Sequence, residues 1–158
     1  MKNSSVLKII LLVSTFALVA AYFIEYILGY KPCNLCLVER LPYFGAVIII
    51  FINLSFKKFE KINFLLLTLI FCAATILSFY HFGIEQGFFT ESLVCNSNNE
   101  IGNLTKEDLI KQLQEQPVSC KNVDFTLFGL SLATINTIIS LILTVINLKI
   151  FLNHEKKK

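Results

Sequence analysis

The chain has 158 residues, 55% of them apolar, a mean hydropathy of +0.68 and a formal net charge of +3. A water-soluble domain of this length is interrupted by charge every few positions, and the long uncharged stretches here exclude that class. No glycine-rich phosphate loop, internal repeat or basic aromatic patch occurs, so neither a phosphate-loop enzyme nor a nucleic-acid binder is expected.

The first element runs from Val6 to Leu28, with Lys8 and Glu25 its only charges. It is longer than the roughly 7–15 apolar residues of a cleaved leader, so an uncleaved membrane span over about 6–28 is expected. A short link, Gly29-Tyr30-Lys31-Pro32, leads into Cys33-Asn34-Leu35-Cys36. Pro42 to Phe56 is free of charge but too short to cross alone, so the second span borrows Leu37, Val38 and Leu41 and covers 38–56. A basic turn, Lys57–Lys61, separates it from a third span over 62–82. The segment 83–124 is polar and carries Cys95 and Cys120. Within it, Leu104-Thr105-Lys106-Glu107-Asp108-Leu109 has the form of a helix start, predicting a short amphipathic helix that stops at Pro117. Phe125 to Leu148 supplies a fourth span. The first, third and fourth runs meet the ~20 residues that cross roughly 30 Å of hydrocarbon, and the second does so only with the residues it borrows. The expected fold is therefore an all-α membrane protein: one domain, 1–158, built as a four-transmembrane-helix bundle with outer loops 29–37 and 83–124.

Charge orients the bundle. The N-terminus, the Lys57–Lys61 turn and the tail from Lys149 hold nine of the fourteen basic residues, against five on the opposite side. That bias places both termini in the cytoplasm and both cysteine pairs outside, where disulfides persist.

The cysteines carry the chemistry. A C-x-x-C closes a small ring whose disulfide is readily made and broken, and Cys33 and Cys36 sit at the start of a helix that favours thiolate. Zinc binding is the competing reading. It would need a second C-x-x-C or a histidine pair, and the chain has only His81 and His154, so no metal is expected. Arg40 follows Cys36 by four residues, one helical turn, so its cation can reach the same place. Cys95 and Cys120, with 24 residues between them, could be a staple worth roughly 3–4 kcal/mol or an exchanging pair. The polar, asparagine-rich loop favours exchange with a soluble partner. Cys72 falls mid-span and is expected to be a small buried apolar residue. Glu25 is expected at the interface or paired with Lys31 or Arg40. His81, ending span three, is either an interfacial histidine or a polar contact to a redox head group beside Arg40.

Taken together, Pro32-Cys33-Asn34-Leu35-Cys36 with Glu39-Arg40, the pair Cys95 and Cys120 in the large loop, and Tyr80-His81-Phe82-Gly83-Ile84-Glu85 resemble the DsbB family of disulfide bond formation proteins. Asp124-Phe125 with Phe128-Gly129-Leu130 adds to the likeness, which covers nearly the whole chain. The resemblance implies a bacterial inner-membrane oxidoreductase that reoxidises a periplasmic, thioredoxin-fold DsbA-like partner and passes the electrons to membrane quinone, ubiquinone or menaquinone. It implies that Cys95 takes the partner's attack with Cys120 as its mate, that electrons move to Cys33–Cys36, and that Cys36 engages the quinone near Arg40. The chain has no tryptophan, so any family contact made through tryptophan is made differently here. The alternative is a non-enzymatic scaffold or small transport component with structural disulfides. Transporters place ionisable residues at mid-span, and the first, third and fourth spans have none there.

Overall fold

The computed structural model describes residues 2–55, 60–90, 95, 119–121, 125–127 and 129–155. Within them are α1 (Lys2–Tyr26), α2 (Asn34–Val38), α3 (Leu41–Ser55), α4 (Glu60–Glu85), β1 (Thr126–Leu127), β2 (Leu130–Ser131) and α5 (Leu132–Glu155). Four stretches are long and apolar enough to cross a membrane: Ser4–Tyr26, Asn34–Ser55, Lys61–Glu85 and Leu132–Asn153. The chain is a multi-pass membrane protein. The amphipathic helix expected after Thr105 lies outside the described residues.

The bundle packs α1 on α3, α3 on α4, and α4 along α5. One apolar core joins them through Leu7, Ile10 and Leu18 of α1, Tyr43, Ala46 and Ile50 of α3, Phe64, Leu67 and Phe71 of α4, and Leu143 of α5. The outward positions, among them Leu12, Phe16, Ile48, Leu69, Ile76 and Ile142, are large and apolar as well. A helix apolar on every side suits a lipid surround and not water. With lipid as apolar as the core, polar side chains help hold the helices together. Thr75 and Thr144 hydroxyls meet at 3.4 Å between α4 and α5, and Tyr43 donates a hydrogen bond to Asn136 Oδ1 between α3 and α5.

The second span is broken at Glu39–Arg40. Pro42 has no N–H to donate to the Val38 carbonyl, and its ring crowds that carbonyl. The backbone tightens instead, with Arg40 N–H donating to Leu37 O at 3.2 Å before α3 begins. The helix of the fourth span, α5, starts at Leu132, seven residues after its apolar run opens at Phe125. Gly129, at φ +80°, turns the chain so that Thr126 pairs with Ser131 and Leu127 with Leu130 in a short antiparallel ladder. Ser131 Oγ then caps α5 by accepting from the Thr134 N–H at 3.2 Å.

Cys72 corrects an expectation. It is exposed on the outer side of α4 and not buried in the core. In a lipid-surrounded bundle the outward face is as apolar as the inner one, so hydropathy could not tell the two apart. Standing alone on that face, it has no partner sulfur among the described residues. Cys72→Ala should therefore keep thiol-oxidase turnover within about twofold of wild type. A fall below a tenth, in folded protein, would give Cys72 a role in the chemistry.

Candidate active site

The site gathers at the bundle end where α2 begins. Cys33 is the N-cap of α2, in extended conformation, and its sulfur accepts from the Cys36 N–H at 3.2 Å. Capping turns both sulfurs to one side, 2.7 Å apart, with neither sulfur bonded covalently. Hydrogen bonding from Cys36, joined by His81, holds the Cys33 thiol below the ordinary thiol range against the opposing effect of burial.

His81, on α4, reaches this pair from 48 residues away. Its Nε2 is 3.6 Å from Cys33 Sγ, and its Nδ1 donates to Glu39 Oε1 at 2.8 Å. Glu39 Oε2 accepts from Asn136 Nδ2 at 2.7 Å, and Asn136 in turn accepts from Tyr43. A second carboxylate, Glu85, lies 3.9 Å from His81 Nε2 and accepts from the Ser131 hydroxyl at 2.5 Å. Glu39 and His81 side chains are 8% and 4% exposed, so this is a buried network in which every described member has a partner.

Arg40 leaves the break in the opposite direction. Its guanidinium donates to Glu25 Oε2 at 2.5 Å and lies 5.0 Å above the centre of the Tyr22 ring. Of the alternatives open for Glu25, pairing with Arg40 is the one present. Between this cation and the sulfurs opens a cavity of about 310 Å³, mostly apolar, whose walls include Cys33, Cys36, Arg40, His81, Tyr43 and Phe125. Its size falls in the roughly 300–1,000 Å³ range of small-molecule sites. The Phe125–Ser131 segment contributes to this cavity: Phe125 packs edge-on against Tyr30 at 5.2 Å between ring centres.

Cys95 and Cys120 are bridged, with Cα atoms 5.7 Å apart. The bridge does not stand open to solvent as the polar loop suggested. Cys95 is 3% and Cys120 1% exposed, and both pack with Cys33, Leu35 and Ile84 in one buried cluster. Apolar disulfide sulfur meets the apolar rim of the C-x-x-C, and loop composition cannot report that contact.

Sequence reasoning singled out Cys33, Cys36, Arg40, His81, Cys95 and Cys120, and the structure brings five of these to the cavity or against its sulfurs, with Cys95 tied to them through its bridge. It passed over Glu39 as a binding group. An acidic residue embedded in an apolar span was the available signal, because a carboxylate is costly there unless it is paired. Asn136 gave the same signal more weakly.

The family model for the disulfide bond formation protein DsbB matches residues 3–150. An uncharacterised protein of Rickettsia prowazekii (strain Madrid E) is 32% identical over 143 residues, spanning 89% of this chain and 83% of the relative. With a free C-x-x-C, a second bridged pair packed on it and four candidate spans, the chain belongs to the DsbB family of membrane oxidoreductases that act in disulfide bond formation.

Proposed function

We propose that the chain reoxidises a DsbA-like, thioredoxin-fold protein and passes the two electrons to membrane quinone. The observation that carries this reading is the packing of the bridged Cys95–Cys120 pair against the free Cys33–Cys36 pair, beside one cavity that Cys33, Cys36 and Cys120 all line. Family membership supports it too, since members are generally quinone-dependent.

The steps balance by thiol–disulfide exchange. A partner dithiol attacks Cys95, Cys120 leaves as thiolate, and the partner departs oxidised with the loop pair holding two electrons. Exchange with an oxidised Cys33–Cys36 pair returns the loop bridge and leaves the C-x-x-C reduced. A bound quinone supplies an acceptor for two electrons and two protons. The cavity suits such a group, with apolar walls for a ring and Arg40 at one side to favour developing negative charge. Both sulfurs of the C-x-x-C line the cavity; in this reading Cys36, the more exposed of the two, engages the quinone, and Cys33, beside His81, exchanges with the loop bridge. His81 is suited to hold a proton beside Cys33 Sγ, and Glu39 fixes which ring nitrogen points there.

The test is anaerobic mixing of the purified chain with quinone and a reduced thioredoxin-fold substrate, following quinone absorbance. Quinol should form in step with substrate disulfide, one for one. Substrate oxidation without quinol, or no reaction with either, would overturn the reading. The orientation that the reaction needs is tested separately. An alkaline phosphatase fused after Asn103 should be active and one fused after Lys58 inactive. The reverse pattern would place both pairs in a reducing compartment.

A further inference from the structure

The sequence offers only half of a metal site at Cys33 and Cys36, but the fold adds a third donor from another helix. Cys33 Sγ, Cys36 Sγ and one His81 ring nitrogen all lie within 4.8 Å of one another. We propose that the reduced C-x-x-C and His81 form a Cys₂His site for a thiophilic divalent ion, zinc foremost, which holds the chain in its reduced state and stops electron flow. Two thiolates and an imidazole form a donor set that suits zinc far better than magnesium or calcium.

The geometry is close to what the ion requires. Bonds of about 2.3 Å to sulfur and 2.0–2.1 Å to nitrogen, at tetrahedral angles, separate a sulfur from the nitrogen by roughly 3.6 Å and the two sulfurs by roughly 3.8 Å. Cys33 Sγ is 3.6 Å from His81 Nε2, so that edge is already in place. The sulfurs, at 2.7 Å, must part by about 1 Å, a small side-chain rotation at half-buried Cys36. An independent feature points the same way. His81 Nδ1 donates to Glu39, so release of the Nε2 proton on binding would turn the Nε2 lone pair toward the sulfur, and Glu39 is itself held by Asn136. A carboxylate on the far nitrogen is the usual support of a metal-binding histidine. The fourth position can be filled by water from the cavity or by Glu85, whose carboxylate lies 3.9 Å from His81 Nε2.

Redox state gates the site. Binding replaces two thiol protons with one ion and involves no electron transfer, so the reduced pair can bind. Closing the Cys33–Cys36 disulfide consumes both thiolates and expels the ion. Metal binding would therefore compete with reoxidation of the C-x-x-C.

Cobalt(II), titrated anaerobically into the full-length reduced chain in detergent, tests the site without reference to quinone turnover. The expected result is one ion per chain, with thiolate charge-transfer absorption, the intense visible bands of tetrahedral cobalt, and displacement by zinc. These bands should persist in Cys95→Ser/Cys120→Ser, fall to about half the charge-transfer intensity in Cys33→Ser and in Cys36→Ser, and disappear in the oxidised chain. Removing the third donor in His81→Ala should change the visible bands and weaken binding at least tenfold, and Glu39→Gln should weaken it by roughly 10–100-fold. Absence of the bands in reduced wild type would overturn the proposal, as would bands unchanged in folded His81→Ala or Cys33→Ser. Should His81→Ala fail to fold, the Cys36→Ser and Cys33→Ser spectra still decide whether these sulfurs bind the ion.

Discussion

Replacing Glu39 with alanine should destabilise the folded chain by about 3–5 kcal/mol, the cost of breaking a buried polar pair from one side. Its two carboxylate oxygens accept from His81 and Asn136, and the side chain is only 8% exposed. Without it, an imidazole N–H and an amide N–H face apolar surroundings with nothing to accept them. Glu39→Gln separates fold from chemistry. The amide keeps the shape but offers one acceptor and one donor, while His81 and Asn136 both present donors. Turning the Asn136 amide to fit would set its N–H₂ against the Tyr43 hydroxyl. The glutamine chain should lose roughly 1–3 kcal/mol, remain folded, and pass electrons between the two cysteine pairs at least about tenfold more slowly. Chemical unfolding in detergent gives the first quantity and rapid-quench trapping of the exchange gives the second. A loss below about 1 kcal/mol in the alanine chain would show that the network does not hold the site together.

Arg40→Gln should raise the apparent quinone KM by about 10–100-fold, while formation of the mixed disulfide with the thioredoxin-fold partner stays within twofold. The guanidinium shares the cavity wall with Cys36 and pairs with Glu25, whereas Glu39 bonds to His81 and Asn136, and the loop bridge is clustered with Cys33. Its charge acts in a partly shielded place, with the side chain 12% exposed, where Coulomb effects exceed those in bulk solvent. A structural role makes a different prediction, because Arg40→Gln also leaves Glu25 without its cation. The double variant Glu25→Gln/Arg40→Gln removes that orphaned charge. It should recover stability but not quinone use. If the double variant regains wild-type KM, Arg40 is only the mate of Glu25. If both steps slow equally in folded Arg40→Gln, it anchors the bundle as a whole. Stopped-flow quinone reduction run beside mixed-disulfide trapping separates these outcomes.

The spans were legible because a bilayer imposes a length and a composition that few other environments do, and Val6–Leu28 or Ile62–Phe82 satisfy both without ambiguity. The C-x-x-C was legible because its chemistry is local, and Glu25–Arg40 because unpaired charges at a span end need each other. Hydropathy reports how apolar a stretch is but not which way it faces. It therefore misplaced Cys72, and it merged Phe125–Ser131 with the helix that follows. The His81–Glu39–Asn136 chain joins the break in the second span to α4 and α5 across sequence gaps of 42 and 97 residues, and no spacing rule covers such distances. The burial of Cys95 depends on tertiary contact with Cys33, which the polarity of its own loop conceals.

That contact also bears on selectivity among thiols. Once electrons reach the loop pair, Cys33 and Cys36 are neighbours held in the same cluster, so the next exchange is unimolecular. Its effective concentration is set by packing and exceeds the millimolar values of flexible tethers. A small thiol in free solution must instead reach sulfurs that are 1–5% exposed at Cys120, Cys95 and Cys33, and it arrives at ordinary second-order rates. The buried bridge thus discriminates by access. In the proposed reaction, a protein partner with enough binding surface to uncover Cys95 would reduce it, whereas background thiols would be left on the slow side of the same exchange.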